Sequence, residues 1–352
     1  MDSSKTLTYR LRNQQLSESR FKEPSQLVSH LGAIQAQDYA GAKWSVGLRL
    51  LKGTDQQIEK SIRDKKIVRT WLMRGTLHFV AASDVRWLLS LLAPRNITRN
   101  ARRYRELGLD ESTLARSNEI INIALPEGEE LSRTDLLKIL NKNGISTQGQ
   151  RAPYILQRAS LDGIICQNIT IRNTPTYQSL YSVPKSKVLQ PEDALQELAL
   201  RYFTTRGPAT LQDFAWWSGL LIAEVRAGLE GIKSLLVSET RNGQTYWRSP
   251  QSKIVSSNLP VVHLLPTFDE FLISYKDRSA SVDTPAAQKV AVGNRFKNTI
   301  ILDGCVIGTW KRDWKENEVI ITSKLFRKLD AGENDALKMA EKRYGEFLGV
   351  IN

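Results

Sequence analysis

An α+β fold built from tandem winged-helix modules, with a small C-terminal β-rich domain, is what the 352-residue sequence predicts. Three observations carry it. A helix, helix, hairpin order can be read between residues 130 and 188. The same order recurs from residue 189 to 257. After residue 258 the helical period gives way to short apolar runs separated by glycine-containing turns.

The N-terminal stretch has apolar helical patterns near 25–36 and 56–68, then one strand-like run from Thr70 to Val80. Ser132-Arg133-Thr134-Asp135 reads as a capping box for a helix with Leu136, Leu137, Ile139 and Leu140 on its apolar side, ended by Asn143-Gly144. A second helix starts near Gln150. It turns Ala152, Ile155, Leu156 and Ala159 inward, with Ile164 following, and leaves Gln150, Arg151, Gln157 and Arg158 outside. Strand-like runs from Ile164 to Ile171 and Tyr177 to Val183 flank the turn Asn173-Thr174-Pro175.

In the repeat, Leu195, Leu198, Ala199, Tyr202 and Phe203 keep helical spacing until Arg206-Gly207-Pro208. Thr210 with Asp213 caps a short helix, Ser218-Gly219 turns, and Ile222 to Leu229 supplies the next helix. Runs from Ser234 to Glu239 and Gln244 to Arg248 then flank Asn242-Gly243, the signature of a type I′ hairpin turn. Farther on, strands are expected at Val261 to Leu265, Ile300 to Leu302, Val306 to Trp310 and Val319 to Thr322, and a final helix from Asp335 to Phe347.

Composition narrows the partner. Fifty Lys and Arg against 37 Asp and Glu give a net charge of +13, the electrostatic footprint of a chain that meets polyanions. From Arg86 to Arg105 there are six arginines and no acid, and Arg95, Arg99, Arg102 and Arg103 share one helix face. Like charges at that spacing repel unless an anion sits opposite, so phosphate contact is expected there, and also at Arg151 and Arg158. Two distant cysteines, Cys166 and Cys305, and three scattered histidines, His30, His78 and His263, give no disulfide framework and no zinc-ligand spacing. No cofactor and no metal are expected. No run approaches the roughly 18 apolar residues of a membrane span, and Met1-Asp2-Ser3-Ser4-Lys5 is not followed by a signal core, so a cytoplasmic, nucleoid-associated monomer is expected.

The most informative motif is Gln35-Ala36-Gln37, set in Leu31-Gly32-Ala33-Ile34-Gln35-Ala36-Gln37-Asp38-Tyr39. Each amide carries a donor and an acceptor, so a converging pair can fix a water or a base edge without adding charge. With Thr70 to Phe79, Leu265 to Arg278 and Asp303 to Trp310, the motif resembles the bacterial tandem winged-helix DNA glycosylases of interstrand-crosslink and N7-alkylpurine repair. The likeness runs in order from about residue 5 to the C-terminus, and two glutamines place it in the Gln-x-Gln subgroup, the azinomycin-resistance type, rather than with Gln-x-Asp members.

That resemblance implies three winged-helix modules in a C-shaped arrangement around a basic concave surface, with residues 1–128, 129–188 and 189–257 as the modules and 258–352 as the β-rich domain. It implies a monofunctional glycosylase acting on duplex DNA that carries alkylated bases or crosslinks. Gln35 and Gln37 would be catalytic, and Asp38 a supporter.

An alkylated, cationic base leaves without protonation, so water placement by amides suffices where a neutral base would need an acid. Arg74, Thr76 and His78 alternate on the expected strand and would share a face; Arg74 and His78 are candidate supporters, His78 through a phosphate. Asp269 and Glu270 suggest an acid and base pair, yet adjacent residues on an extended segment point apart and read better as scaffold. Trp217, at helical spacing from Phe214, reads as core. The alternative function is a non-catalytic winged-helix DNA-binding regulator, which would have no need of the two glutamines.

Overall fold

Ser132 starts a helix as its sequence context requires: its hydroxyl accepts from the Asp135 N–H at 3.1 Å, and the helix Arg133–Lys142 follows, ending at Asn143 and at Gly144 with φ 80°. The Asp135 carboxylate accepts from the Ser132 hydroxyl at 2.7 Å. The helix Arg151–Leu161 buries Ala152, Ile155, Leu156 and Ala159, the four residues that its period selects. In the computed structural model, residues 3–171, 174–184, 187–252, 259–292, 295–316 and 318–350 are described. Asn173 of the expected turn and the expected boundary at 257–258 lie outside them.

The chain forms two compact units, residues 59–194 and residues 1–58 with 195–352. In the first, five antiparallel strands lie in the order Leu77–Ala81, Ile67–Trp71, Ile165–Ile171, Thr174–Ser179, Glu130–Ser132. The expected single run from Thr70 to Val80 is corrected to a hairpin. Arg74 at φ 55° and Gly75 at φ 74° turn the chain, and Thr70 pairs with His78. A non-glycine residue in the left-handed region is costly, so no local rule proposes a turn at Arg74. The run from Tyr177 to Val183 is likewise part strand and, over Leu180–Ser182, part 3-10 turn. Leu114, Ile121, Leu136, Leu140, Ile155, Leu156 and Tyr177 close the core beneath this sheet.

The second unit holds the helices Ser3–Asn13, Pro24–Leu31 and Tyr39–Gly47, and most of the helix Pro191–Arg206. A capping box formed by Thr210 and Asp213 opens the helix Leu211–Ser218; Gly219, at φ 75°, ends it; Ile222–Ile232 follows. The strands Val237–Arg241 and Gln244–Arg248 join through Asn242 at φ 49° and Gly243 at φ 73°, the positive pair that a type I′ turn demands. A four-stranded antiparallel sheet runs in the order Glu318–Leu325, Cys305–Lys315, Thr299–Leu302, Val262–Leu265. The helix Ala331–Leu348 lies on it, and Tyr344 and Phe347 pack against Trp44 with ring centroids 4.9 and 5.0 Å away. Trp44 also donates its indole N–H to the Leu264 carbonyl. The C-terminal strands and the N-terminal helix Tyr39–Gly47 therefore share one core.

Candidate active site

The Gln35-Ala36-Gln37 stretch connects two helices. Pro24–Leu31 stops at Gly32, whose φ of 80° costs a glycine nothing, and Tyr39–Gly47 begins at Asp38, whose carboxylate accepts from the Gly41 N–H at 3.2 Å. A Cβ at 41 would stand 2.7 Å from Asp38 Oδ2, so a side chain there would push the capping carboxylate aside. Asp38 thus has a helix-capping role in the connection. Ala33, Ile34 and Ala36 are fully buried and anchor it, Gln35 is buried at 8% exposure, and Gln37 and Asp38 are exposed.

Beneath the connection lies a pair of buried ion pairs. The Gln35 backbone N–H donates to Glu270 Oε1 at 2.9 Å. Glu270 Oε2 accepts from Arg206 Nη2, Trp217 Nε1 and the Ser274 hydroxyl, each at 2.8 Å. Arg206, itself fully buried, also donates to the carbonyls of Leu31 at 2.7 Å and Ala33 at 3.2 Å. Its guanidinium lies 4.2 Å from the centre of a Trp217 ring.

The neighbouring Asp269 serves a different cation. Its two oxygens accept from Arg49 Nη2 at 2.7 Å and Nη1 at 2.8 Å, and Oδ2 also accepts from the Ser45 hydroxyl at 2.7 Å. Asp269 caps the short helix Glu270–Ile273, so the extended segment expected there is corrected to a helix start. The dipeptide holds the Gln stretch at two places: Glu270 bonds the N–H of Gln35 itself, and Asp269 the Ser45 hydroxyl on the helix that follows. Trp217 is core, as its spacing indicates.

The basic helix in the other unit runs from Val85 to Glu106. Arg99 and Arg102 are exposed, while Arg95 and Arg103 are partly covered. The anion that the spacing calls for is in part intramolecular. Glu106, one residue beyond the acid-free stretch, accepts from Arg102 and from Arg103, each at 2.8 Å, and hydrogen bonds from Arg103 and then Arg102 hold its carboxyl below the usual range.

The outward placement of Arg151 and Arg158 is corrected. Arg151 donates to the carbonyls of Ser146, Leu107 and Gly108. Arg158, 13% exposed, pairs with Glu111 and Asp162 at 2.8 Å each; the Glu111 bond raises its pKa against the opposing effect of burial. These contacts, with Asn100 donating to Gln157 at 2.8 Å, turn Arg151, Gln157 and Arg158 toward neighbouring elements, while Gln150 is exposed as expected.

Arg74 is corrected too, since it sits in the turn Met73–Gly75 rather than on the strand with His78. His78 is fully buried, with Nδ1 2.9 Å from the Thr76 carbonyl, a scaffold position that no phosphate reaches. The three histidines stand on three different elements, Pro24–Leu31, Leu77–Ala81 and Val262–Leu265. Burial, helped by Arg20, Arg206 and Arg201, lowers the His30 pKa to about 4; burial and Arg343 lower that of His263 to about 3.

Sequence reasoning missed Arg206 as a site residue and read it as a helix stop. A signal existed: it continues the apolar face of its helix, three residues past Phe203 and four past Tyr202, where a charge requires a buried partner.

Residues 28–347 match the family described as DNA glycosylase AlkZ-like. An interstrand DNA cross-link repair glycosylase from Streptomyces sahachiroi is 21% identical over 341 residues, which covers 89% of this chain and 88% of the relative. The solved structure of the DNA glycosylase AlkZ of the same organism superposes with a TM-score of 0.82 at 20% identity, over 99% of this chain and 97% of that one, a likeness of fold.

Proposed function

Because the chain belongs to the AlkZ-like DNA glycosylase family, and is therefore an N-glycosidic bond hydrolase acting on DNA, we propose that it excises N7-alkylated purines from duplex DNA and unhooks interstrand crosslinks built on them. Gln35 and Gln37 position the attacking water. The single observation that carries this reading is that Gln37 is exposed at the end of a stretch in which Ala33, Ile34 and Ala36 are fully buried and the Gln35 N–H is bonded to Glu270.

An N7-alkylguanine is already cationic, so its departure needs no general acid; what remains is a water held in line and an environment that tolerates an oxocarbenium-like sugar. A neutral amide meets the first need without trapping the cation. No lysine stands in the motif to form a Schiff base, so the product is an abasic site in an uncut strand. The helix, helix, hairpin units at 129–188 and 189–257 are read as winged helices, with the first module before them, in a monomer working at the nucleoid. The exposed Arg99 and Arg102, with Arg95 and Arg103 beside them, are its phosphate contacts.

The test is single-turnover release of N7-methylguanine from a duplex, beside a nitrogen-mustard crosslink substrate. Gln37→Ala is expected to lower the rate constant about 10²-fold, as at other preorganised sites. Wild-type rates in both Gln35→Ala and Gln37→Ala would remove the motif from the mechanism. Release from the monoadduct but not from the crosslink would remove unhooking from the function.

A further inference from the structure

We propose that Glu270 and Arg206 are positioning residues for the glutamine motif, a buried ion pair that fixes the backbone entering the amides and so sets where Gln37 holds its water; this rests on the catalytic reading above. Three backbone groups of the short segment Leu31 to Gln35 are bonded to this one pair: the carbonyls of Leu31 and Ala33 to Arg206, the N–H of Gln35 to Glu270. Between the two carbonyls lies Gly32 at φ 80°, the residue with most freedom to swing. The pair spans what would otherwise be a hinge.

Its chemistry favours geometry over stability or charge. A buried ion pair is seldom more stabilising than apolar residues of the same volume, so its presence beneath a motif calls for another reason. Carboxylate and guanidinium 2.8 Å apart nearly cancel at a distance, so the pair adds little potential at the sugar. What it does supply is a rigid fork that accepts or donates in fixed directions. Misplacing a catalytic group by about 1 Å can cost on the order of 10²-fold in rate.

Glu270→Gln separates the motif contact from the scaffold. Three donors converge on Oε2, so the amide oxygen of the variant stays there, and its NH₂ is turned toward the Gln35 N–H, donor against donor. The experiment is single-turnover excision of N7-methylguanine from duplex DNA by wild type, Glu270→Gln, Gln37→Ala and the double variant, with reaction amplitude reporting folded enzyme and a titration with undamaged duplex reporting affinity.

The expected result is a rate constant lowered about tenfold or more in Glu270→Gln at full amplitude and unchanged affinity, with no further loss when the change is added to Gln37→Ala. An unchanged rate constant overturns the proposal. So does an equal loss with and without Gln37, since Glu270 would then act other than through that amide. A wild-type rate in Gln37→Ala is a separate failure, that of the catalytic reading, and the proposal falls with it. If Glu270→Gln does not fold, Arg206→Lys takes its place: it keeps the charge but cannot fork to both carbonyls, and the same pattern is expected, with the same overturning outcomes.

Discussion

Asp269 and Glu270 adjoin in sequence, yet each is matched to its own arginine, Arg49 and Arg206, with no side chain of the four more than 1% exposed. Removing one member of such a pair leaves a buried charge without compensation, which costs about 3–5 kcal/mol. Asp269→Asn is therefore expected to lower the stability measured by urea unfolding by an amount in that range. The double change Asp269→Leu with Arg49→Met should recover a large part of it, because no charge is then stranded. Equal loss in single and double variants would show that packing around Ser45, rather than charge, sets the cost. This pair and that of Glu270 differ in what they hold. Arg49 and Asp269 lock the helix that follows the glutamines, whereas Arg206 and Glu270 bond directly to the chain that enters them.

At the scale of the element, the helix Val85–Glu106 answers how four arginines share a face. Glu106 neutralises its last turn, but both partners are on the surface, where such pairs contribute little and exchange readily with a phosphate. Arg99 and Arg102 are the better exposed members. Replacing both with Ala is expected to reduce the slope of log affinity against log salt by about two units on undamaged duplex. Glu106→Gln should act oppositely, tightening binding most at low salt by releasing Arg102 and Arg103. An unaltered slope in the double variant would move the phosphate contacts to another element. Arg151→Ala should chiefly lower stability, since its guanidinium ties down the 107–108 turn.

For the whole molecule, a net charge of +13 makes DNA association salt-dependent, while folding stability is tied to pH through the buried imidazoles. His30 and His263 have folded pKa values of about 4 and about 3, below the 6.5 of the free side chain. Between those values and 6.5 the unfolded chain binds more protons than the folded one, so stability rises with pH there and is lost on acidification. Each imidazole contributes up to about 1.4 kcal/mol per pH unit across its window. The carboxyls held low by partners, Glu333 at about 2 among them, lose their contribution in the same direction but at lower pH. The thermal midpoint is thus expected to be level above pH 6.5 and to fall between pH 6.5 and 5, and His263→Gln should make that fall shallower, with the share of His30 remaining, whatever its effect at neutral pH. A slope as steep as that of the wild type would rule out a contribution from His263.

The sequence by itself determined the parts of this protein that local interactions decide. Ser132, Thr210 and the Asn242-Gly243 turn each act within a few residues of themselves, and the apolar period of Arg151–Leu161 and Pro191–Arg206 marks the inward faces, so these elements were legible at once. The glutamine motif and its family likeness were legible too, being contiguous. Tertiary structure alone decided what depends on groups far apart in the chain. The turn at Arg74 pays in backbone strain for a hairpin that pairs Thr70 with His78, and the outer face of Arg151–Leu161 is covered because acids and carbonyls from elsewhere meet Arg151 and Arg158. Above all, Gln35, Arg206 and Glu270 are separated by 64 to 235 positions, so no spacing rule relates them. A charge on an apolar face announces that a partner exists; which partner, and that the pair would hold the backbone of the glutamine motif, follows only from the fold that brings them within hydrogen-bond distance.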